Sequence, residues 1–111
     1  MPFDSANYDA PVIAPSHSSV TKLLEHAWSL IDQPHKWCRG QFRSTDGRRH
    51  CSLGAIETTF FESEPSLTDA IAARDLLARA MGGHPVPFND NHTHREVAAA
   101  WQRAIALSRQ P

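Results

Sequence analysis

Residues Pro34–Cys51 read PHKWCRGQFRSTDGRRHC, and the way this stretch folds decides what surface the chain presents. Lys36, Arg39, Arg43, Arg48 and Arg49 face a single acid here, Asp46, so the stretch carries a formal charge of +4 within a chain whose total is -1. The remainder therefore sums to -5, and a basic lobe sits on an acidic body. Such a lobe steers anionic partners: an acidic protein face, a phosphorylated ligand or nucleic acid. Asp46-Gly47 favours the positive φ of a tight turn. Trp37, Gln41, Phe42 and Arg43 before it, with Arg49 and Cys51 after it, predict a β-hairpin over about residues 36–51. With Asp46 and Gly47 as the loop, Arg43 faces His50 and Phe42 faces Cys51. Cys38 then lies four residues along the strand from the partner of Cys51, about 13 Å away at ~3.3 Å per residue. That is beyond disulfide reach unless the chain bends sharply at Gly40.

On the N-terminal side, Val20, Leu23, Leu24, Ala27, Trp28 and Ile31 form one helical stripe, predicting a helix over about Ser18–Asp32. Ser18 supplies its cap, and Pro34 disfavours helical geometry at Gln33. Residues 1–17 hold Pro2, Pro11 and Pro15 without sustained periodicity and are expected to form an extended arm ahead of a single domain over 18–111. On the C-terminal side a second helix is expected from Ser52 to about Phe61, burying Leu53, Ile56 and Phe60. Gly54 within it either permits close packing or costs about 1 kcal/mol against alanine. The Ser66–Asp69 cap opens a third helix with Leu67, Ile71, Leu77 and Met81 as its larger core residues, ended by Gly82-Gly83. His84–His92, with Pro85 and Pro87, reads as an extended loop. Thr93 and Glu96 then make a capping box for a last helix to about Arg109, burying Val97, Trp101, Ala104 and Ile105. The expected fold is thus mainly α (α+β): about four helices, with one β-hairpin between the first and second, in a single compact domain.

A chain of 111 residues with 41% apolar and 21% charged residues supports one hydrophobic core. No apolar run approaches the roughly 18 residues that cross a bilayer. MPFDSANYDA lacks the basic and apolar parts of a secretory signal, so a cytoplasmic location and free rather than bridged cysteines are expected.

The chemistry-bearing residues allow two readings. In one, the lobe is a contact surface of Trp37, Arg39, Phe42, Arg43, Arg48 and Arg49, because Trp and Arg anchor interfaces. Its partner would be a protein with an acidic surface, or nucleic acid bound through phosphates and base stacking, although no reading helix and a near-neutral pI of 6.6 disfavour the latter. The plainer alternative is a solvated edge strand kept soluble by its arginines. In the other reading Cys51 is a nucleophile at a helix N-terminus, where N–H groups and the helix dipole favour a thiolate. His92 or His94, oriented by Asn89 or Asp90, is a better candidate for its base than His50, because adjacent strand residues point to opposite faces. A buried structural cysteine competes with this. His84, Asp90, His92 and His94 carry metal-ligand chemistry but lack the spacing that fixes a tetrahedron, and neither a metal site nor a cofactor is expected.

Trp37-Cys38-Arg39-Gly40, Cys51-Ser52-Leu53-Gly54-Ala55-Ile56, Pro87-Phe88-Asn89-Asp90, Thr93-His94-Arg95-Glu96-Val97 and Ala104-Ile105 together resemble a family of small bacterial and phage proteins with a domain of unknown function. The resemblance spans roughly residues 18–107 and departs from the family pattern at Phe88, where its members often carry Trp. It implies a compact helical domain and carries no activity, cofactor or catalytic residue with it. The expected function is a small interaction or regulatory protein, with the cysteine-dependent enzyme and nucleic-acid binding as alternatives.

Overall fold

The computed structural model describes residues 17–110. The arm expected over residues 1–17 lies outside these except for His17, which already belongs to the first helix.

That helix, α1 (His17–Ser29), buries Val20, Leu23, Leu24 and Ala27 along the expected stripe. It stops short of Asp32 because its end tightens: Leu30 N donates to Ala27 O at 3.1 Å and Ile31 N to Trp28 O at 2.9 Å. Lys36 then closes the terminus, its Nζ donating to Ser29 O at 2.6 Å and Asp32 Oδ1 at 2.8 Å. A basic group on the last carbonyls suits the negative end of the helix dipole. A 3₁₀ turn over Pro34–Lys36 follows.

The hairpin expected next does not form. Among the described residues there is no strand and no sheet, and the pairing reduces to two isolated bridges that share one residue, Trp37 with His50 (parallel) and Arg43 with His50 (antiparallel). Two features break the ladder. Gly40 turns the chain at φ 76°, so Trp37 and Arg43 approach His50 from opposite directions. Side chains also take backbone donors that a ladder would need: Asp46 Oδ1 accepts from Arg48 N at 3.0 Å and Ser44 Oγ from Arg49 N at 2.9 Å. The Asp46-Gly47 turn itself is present, with Gly47 at φ 74°.

Four further helices complete the described fold: α2 (Ser52–Ser63), α3 (Leu67–Met81), α4 (Pro85–Asn91) and α5 (His94–Ser108). Five helices thus replace the expected four, because His84–His92 is not an extended loop. Pro85 and Pro87 both fall in the first turn of α4, where the missing N–H groups have no intrahelical acceptor anyway. His84 caps that turn, its Nδ1 accepting from Val86 N at 3.2 Å. The box at the start of α5 forms as the spacing predicts: Thr93 Oγ1 accepts from Glu96 N at 3.2 Å, and Glu96 Oε1 accepts from Thr93 N at 2.9 Å.

α1, α3 and α5 pack against one another around Leu24, Leu77, Val97 and Trp101, with Ala55 and Ile56 of α2 closing the same core. α3 buries Leu77 and Met81 as expected but leaves the other two predicted core residues outside. Leu67 and Ile71 are 64% and 42% exposed, whereas Ala73, Leu77 and Met81 are buried. Small alanines let α3 approach its neighbours closely, and its larger N-terminal side chains are left outside. In α2, Ile56 is buried as expected, but Leu53 and Phe60 are only half-buried.

Candidate functional site

α4, unforeseen from the sequence, holds the basic stretch against the core. Its Asn89 is 0% exposed, and its amide is used on both sides. Oδ1 accepts from Trp37 Nε1 at 2.7 Å, Ser52 N at 3.0 Å and Ser52 Oγ at 2.9 Å. Nδ2 donates to Cys38 O at 3.0 Å. Ser52 Oγ in turn accepts from Trp101 Nε1 at 3.0 Å. One asparagine therefore joins the basic stretch, the start of α2 and, through Ser52, α5. Burying so many polar groups is tolerable only because each has its partner. The neighbouring Asp90 extends the clamp, its Oδ1 accepting from Gly40 N at 3.0 Å. Arg39 donates to His92 O and lies 5.1 Å over the Trp37 ring.

The helix that follows is set by an equally close approach. Cys51 N donates to Phe42 O at 3.1 Å, and that carbonyl lies 1.8 Å from where a Cβ on Gly54 would stand. The second alternative stated for Gly54, mere tolerance, is thus excluded: the position permits the packing of residue 42 on α2. Cys51 caps α2 with its sulfur, which accepts from Gly54 N at 3.3 Å. Burial pushes the Cys51 thiol above its ordinary pKa, and hydrogen bonds from Gly54 and Leu53 only partly offset this. Cys38 is raised for the same first reason, with the charge of Cys51 next and Arg49 opposing.

The histidines named beside Cys51 are engaged elsewhere. His92 Nδ1 meets Phe88 O at 2.8 Å, and its ring stacks on Phe88 at 3.8 Å. His94 Nε2 meets Ile31 O at 2.6 Å while its ring stacks on Trp28 and meets the edge of Trp37. Because a carbonyl can only accept, these nitrogens carry the proton in both rings. Among the described residues neither histidine hydrogen-bonds a thiol, and no group of three or more His, Cys, Asp or Glu side chains is placed to hold a metal ion. The remaining candidate histidine beside Cys51, His50, is buried, and its Nδ1 meets no partner. Burial first and Arg43 second hold its pKa below the ordinary value, against a weaker pull from Glu62.

The six residues of the expected contact surface divide. Trp37, Arg39 and Arg49 border an open cleft of about 540 Å³, together with Gln41, Thr93 and His94. Phe42 instead borders a second, more apolar cavity of about 300 Å³ with Cys51, Val86 and Asp90. Arg43 lies along the turn, its guanidinium beside Gly47. Arg48 and Arg49 flank Asp46, whose carboxyl is lowered first by the Ser44 hydroxyl, then by the Arg48 N–H, with smaller help from both arginines. The residue that the sequence reading did not single out is Ser52, which links the asparagine to Trp101, whereas close packing at Gly54 was one of its two stated alternatives. The readable signals were two tryptophans needing N–H acceptors and a lone glycine inside an apolar helix.

These features define a small helical domain in which a buried asparagine clamps a basic, cleft-bearing segment. The chain belongs to the family described as "Family of unknown function (DUF6197)", which it matches over residues 15–107. No curated protein and no solved structure matches it. None of the described helices is long and apolar enough to cross a membrane.

Proposed function

We propose that the chain is a small interaction protein whose basic cleft, bordered by Trp37, Arg39 and Arg49, receives an acidic segment of a partner protein. The observation that carries this is the state of the arginines. Arg39, Arg43, Arg48 and Arg49 take part in none of the ion pairs among the described residues, which are Lys36–Asp32, Arg74–Asp75 and Arg109–Glu25. Of these four arginines, Arg39 and Arg49 border a cleft that no carboxylate residue lines, and neither is in a close ion pair, although Asp46 exerts a longer-range pull on Arg49. Trp37 supports this as a fixed wall rather than a mobile anchor, since its N–H is spent on Asn89. Fixing a side chain before binding lowers the entropy lost on association.

The test is titration of the 15N-labelled protein with a poly-glutamate peptide and, separately, with a single-stranded DNA oligonucleotide of equal charge. Shifts concentrated at Trp37, Arg39 and Arg49, weakened as salt rises and lost in Arg39→Glu/Arg49→Glu, are expected for the peptide. Binding unaffected by that double reversal removes the cleft from consideration. Tighter binding of the oligonucleotide turns the reading to nucleic acid.

A further inference from the structure

We propose that Cys38 and Cys51 are a thiol pair that closes to an intramolecular disulfide by exchange with a low-molecular-weight disulfide. A flat hairpin would have kept them about 13 Å apart at ~3.3 Å per residue. The bend at Gly40, φ 76°, removes that separation. His50 N donates to Lys36 O at 3.0 Å and Cys38 N donates to His50 O at 3.0 Å, so Trp37 and His50 stand side by side in the parallel sense. The next residue on each segment is a cysteine. Parallel segments are spaced by about 4.8 Å, within the roughly 4.4–6.8 Å Cα separation that a disulfide spans. The sulfurs are held by weak bonds, Cys38 Sγ to Gln41 O at 3.6 Å and Gly54 N to Cys51 Sγ at 3.3 Å, the latter joined by Leu53 N–H. The charge of Cys51 is also felt at Cys38, and that of Asp90 at both, which agrees with their closeness.

Both thiols border an opening, Cys51 the cavity beside Phe42 and Val86 and Cys38 the larger cleft beside Trp37 and Arg49, so an external disulfide reaches either, and the exchange balances in the same way with Cys51 reacting first. The Cys51 thiolate attacks one sulfur of the external disulfide, forming a mixed disulfide and releasing one small thiolate. The Cys38 thiolate then attacks the Cys51 sulfur and releases the second. The two cysteine protons end on the two released thiols: two protein thiols are oxidised, and one external disulfide is reduced. Burial of both cysteine residues, 8% and 3% exposed, makes the exchange slow in the folded protein and places it among responses to sustained oxidation rather than rapid turnover.

The test uses the full chain equilibrated in glutathione redox buffers, refolded from urea so that burial does not limit the rate, and the same buffers with urea retained. Intact mass distinguishes loss of two hydrogens from glutathione adducts. The expected result is an intramolecular disulfide whose effective thiol concentration is at least about tenfold higher in the folded chain than in urea. Cys38→Ser should stop at the Cys51–glutathione adduct while its circular dichroism matches the parent. An effective concentration no higher than in urea, or disulfide-linked dimers in place of the internal bond, overturns the proposal.

Discussion

Asn89 shows at the scale of one residue how a polar side chain can organise an apolar core. Replacing it by alanine leaves Trp37 Nε1, Ser52 N and Cys38 O without their hydrogen bonds to the Asn89 amide. Each buried group so orphaned costs about 1–3 kcal/mol. Asn89→Ala should therefore destabilise the fold by about 3 kcal/mol or more, read as the shift in urea midpoint with unchanged slope. Gly54 offers a sharper contrast. On propensity alone Gly54→Ala gains about 1 kcal/mol in a helix interior. Here its Cβ would meet the Phe42 carbonyl at 1.8 Å, so backbone must move and the variant should be less stable than the parent. A rise in melting temperature for Gly54→Ala would contradict the close approach of residue 42 to α2.

At the scale of elements, legibility followed the source of each element's stability. α1 and α5 were readable because their apolar residues recur at helical spacing and their ends carry local chemistry, such as the Thr93–Glu96 box. α4 was not, because two prolines in seven residues look like a loop until their first-turn placement is known, and because its binding energy comes from Asn89 and Asp90 reaching residues about fifty positions away. The hairpin was over-read from a genuine turn. A tight Asp-Gly turn brings two segments together, but an isolated two-stranded ladder is marginal, and Gly40, Ser44 and Asp46 divert its hydrogen bonds. For the site, the arginines were legible as composition, whereas the division of the contact residues, arginines between cleft and turn and Phe42 into the cavity, depended on that missing ladder. α3 was read correctly at Leu77 and Met81 but not at Leu67 and Ile71, where size was taken for burial. Leu77→Ala should accordingly cost about 2–5 kcal/mol, while Leu67→Ser and Ile71→Ser should each stay within about 0.5 kcal/mol of the parent in the same denaturation series.

For the whole molecule, the buried His50 couples folding to pH. Its folded pKa lies below the ordinary value, so the unfolded chain binds a proton first as pH falls. The stability this neutral ring secures is complete above about pH 6.5 and declines as the pH drops through that value. The melting temperature should be lower at about pH 5 than at about pH 7, and His50→Gln should remove part of that difference. The exposed Asp46 and Glu96, both lowered by hydrogen bonds to nearby groups, act in the same direction but only in the acid range where carboxylates titrate. His50 lies where the Trp37 and Arg43 segments meet, so acid loosening should register at that junction before it reaches Leu24 or Val97 of the core.

The chain of hydrogen bonds from Trp37 through Asn89 and Ser52 to Trp101 also constrains how the protein can change over generations. A substitution at any one of these positions strands a donor or acceptor on another, and so meets resistance that surface positions such as Leu67 do not. Drift at these four sites has to proceed by compensated steps, with an apolar replacement at one favoured only after its neighbour has changed. A double-mutant cycle between Asn89 and Ser52 should show the signature as a coupling of about 1 kcal/mol or more. The family's sequences should then part into lineages that keep the whole set or lose it together.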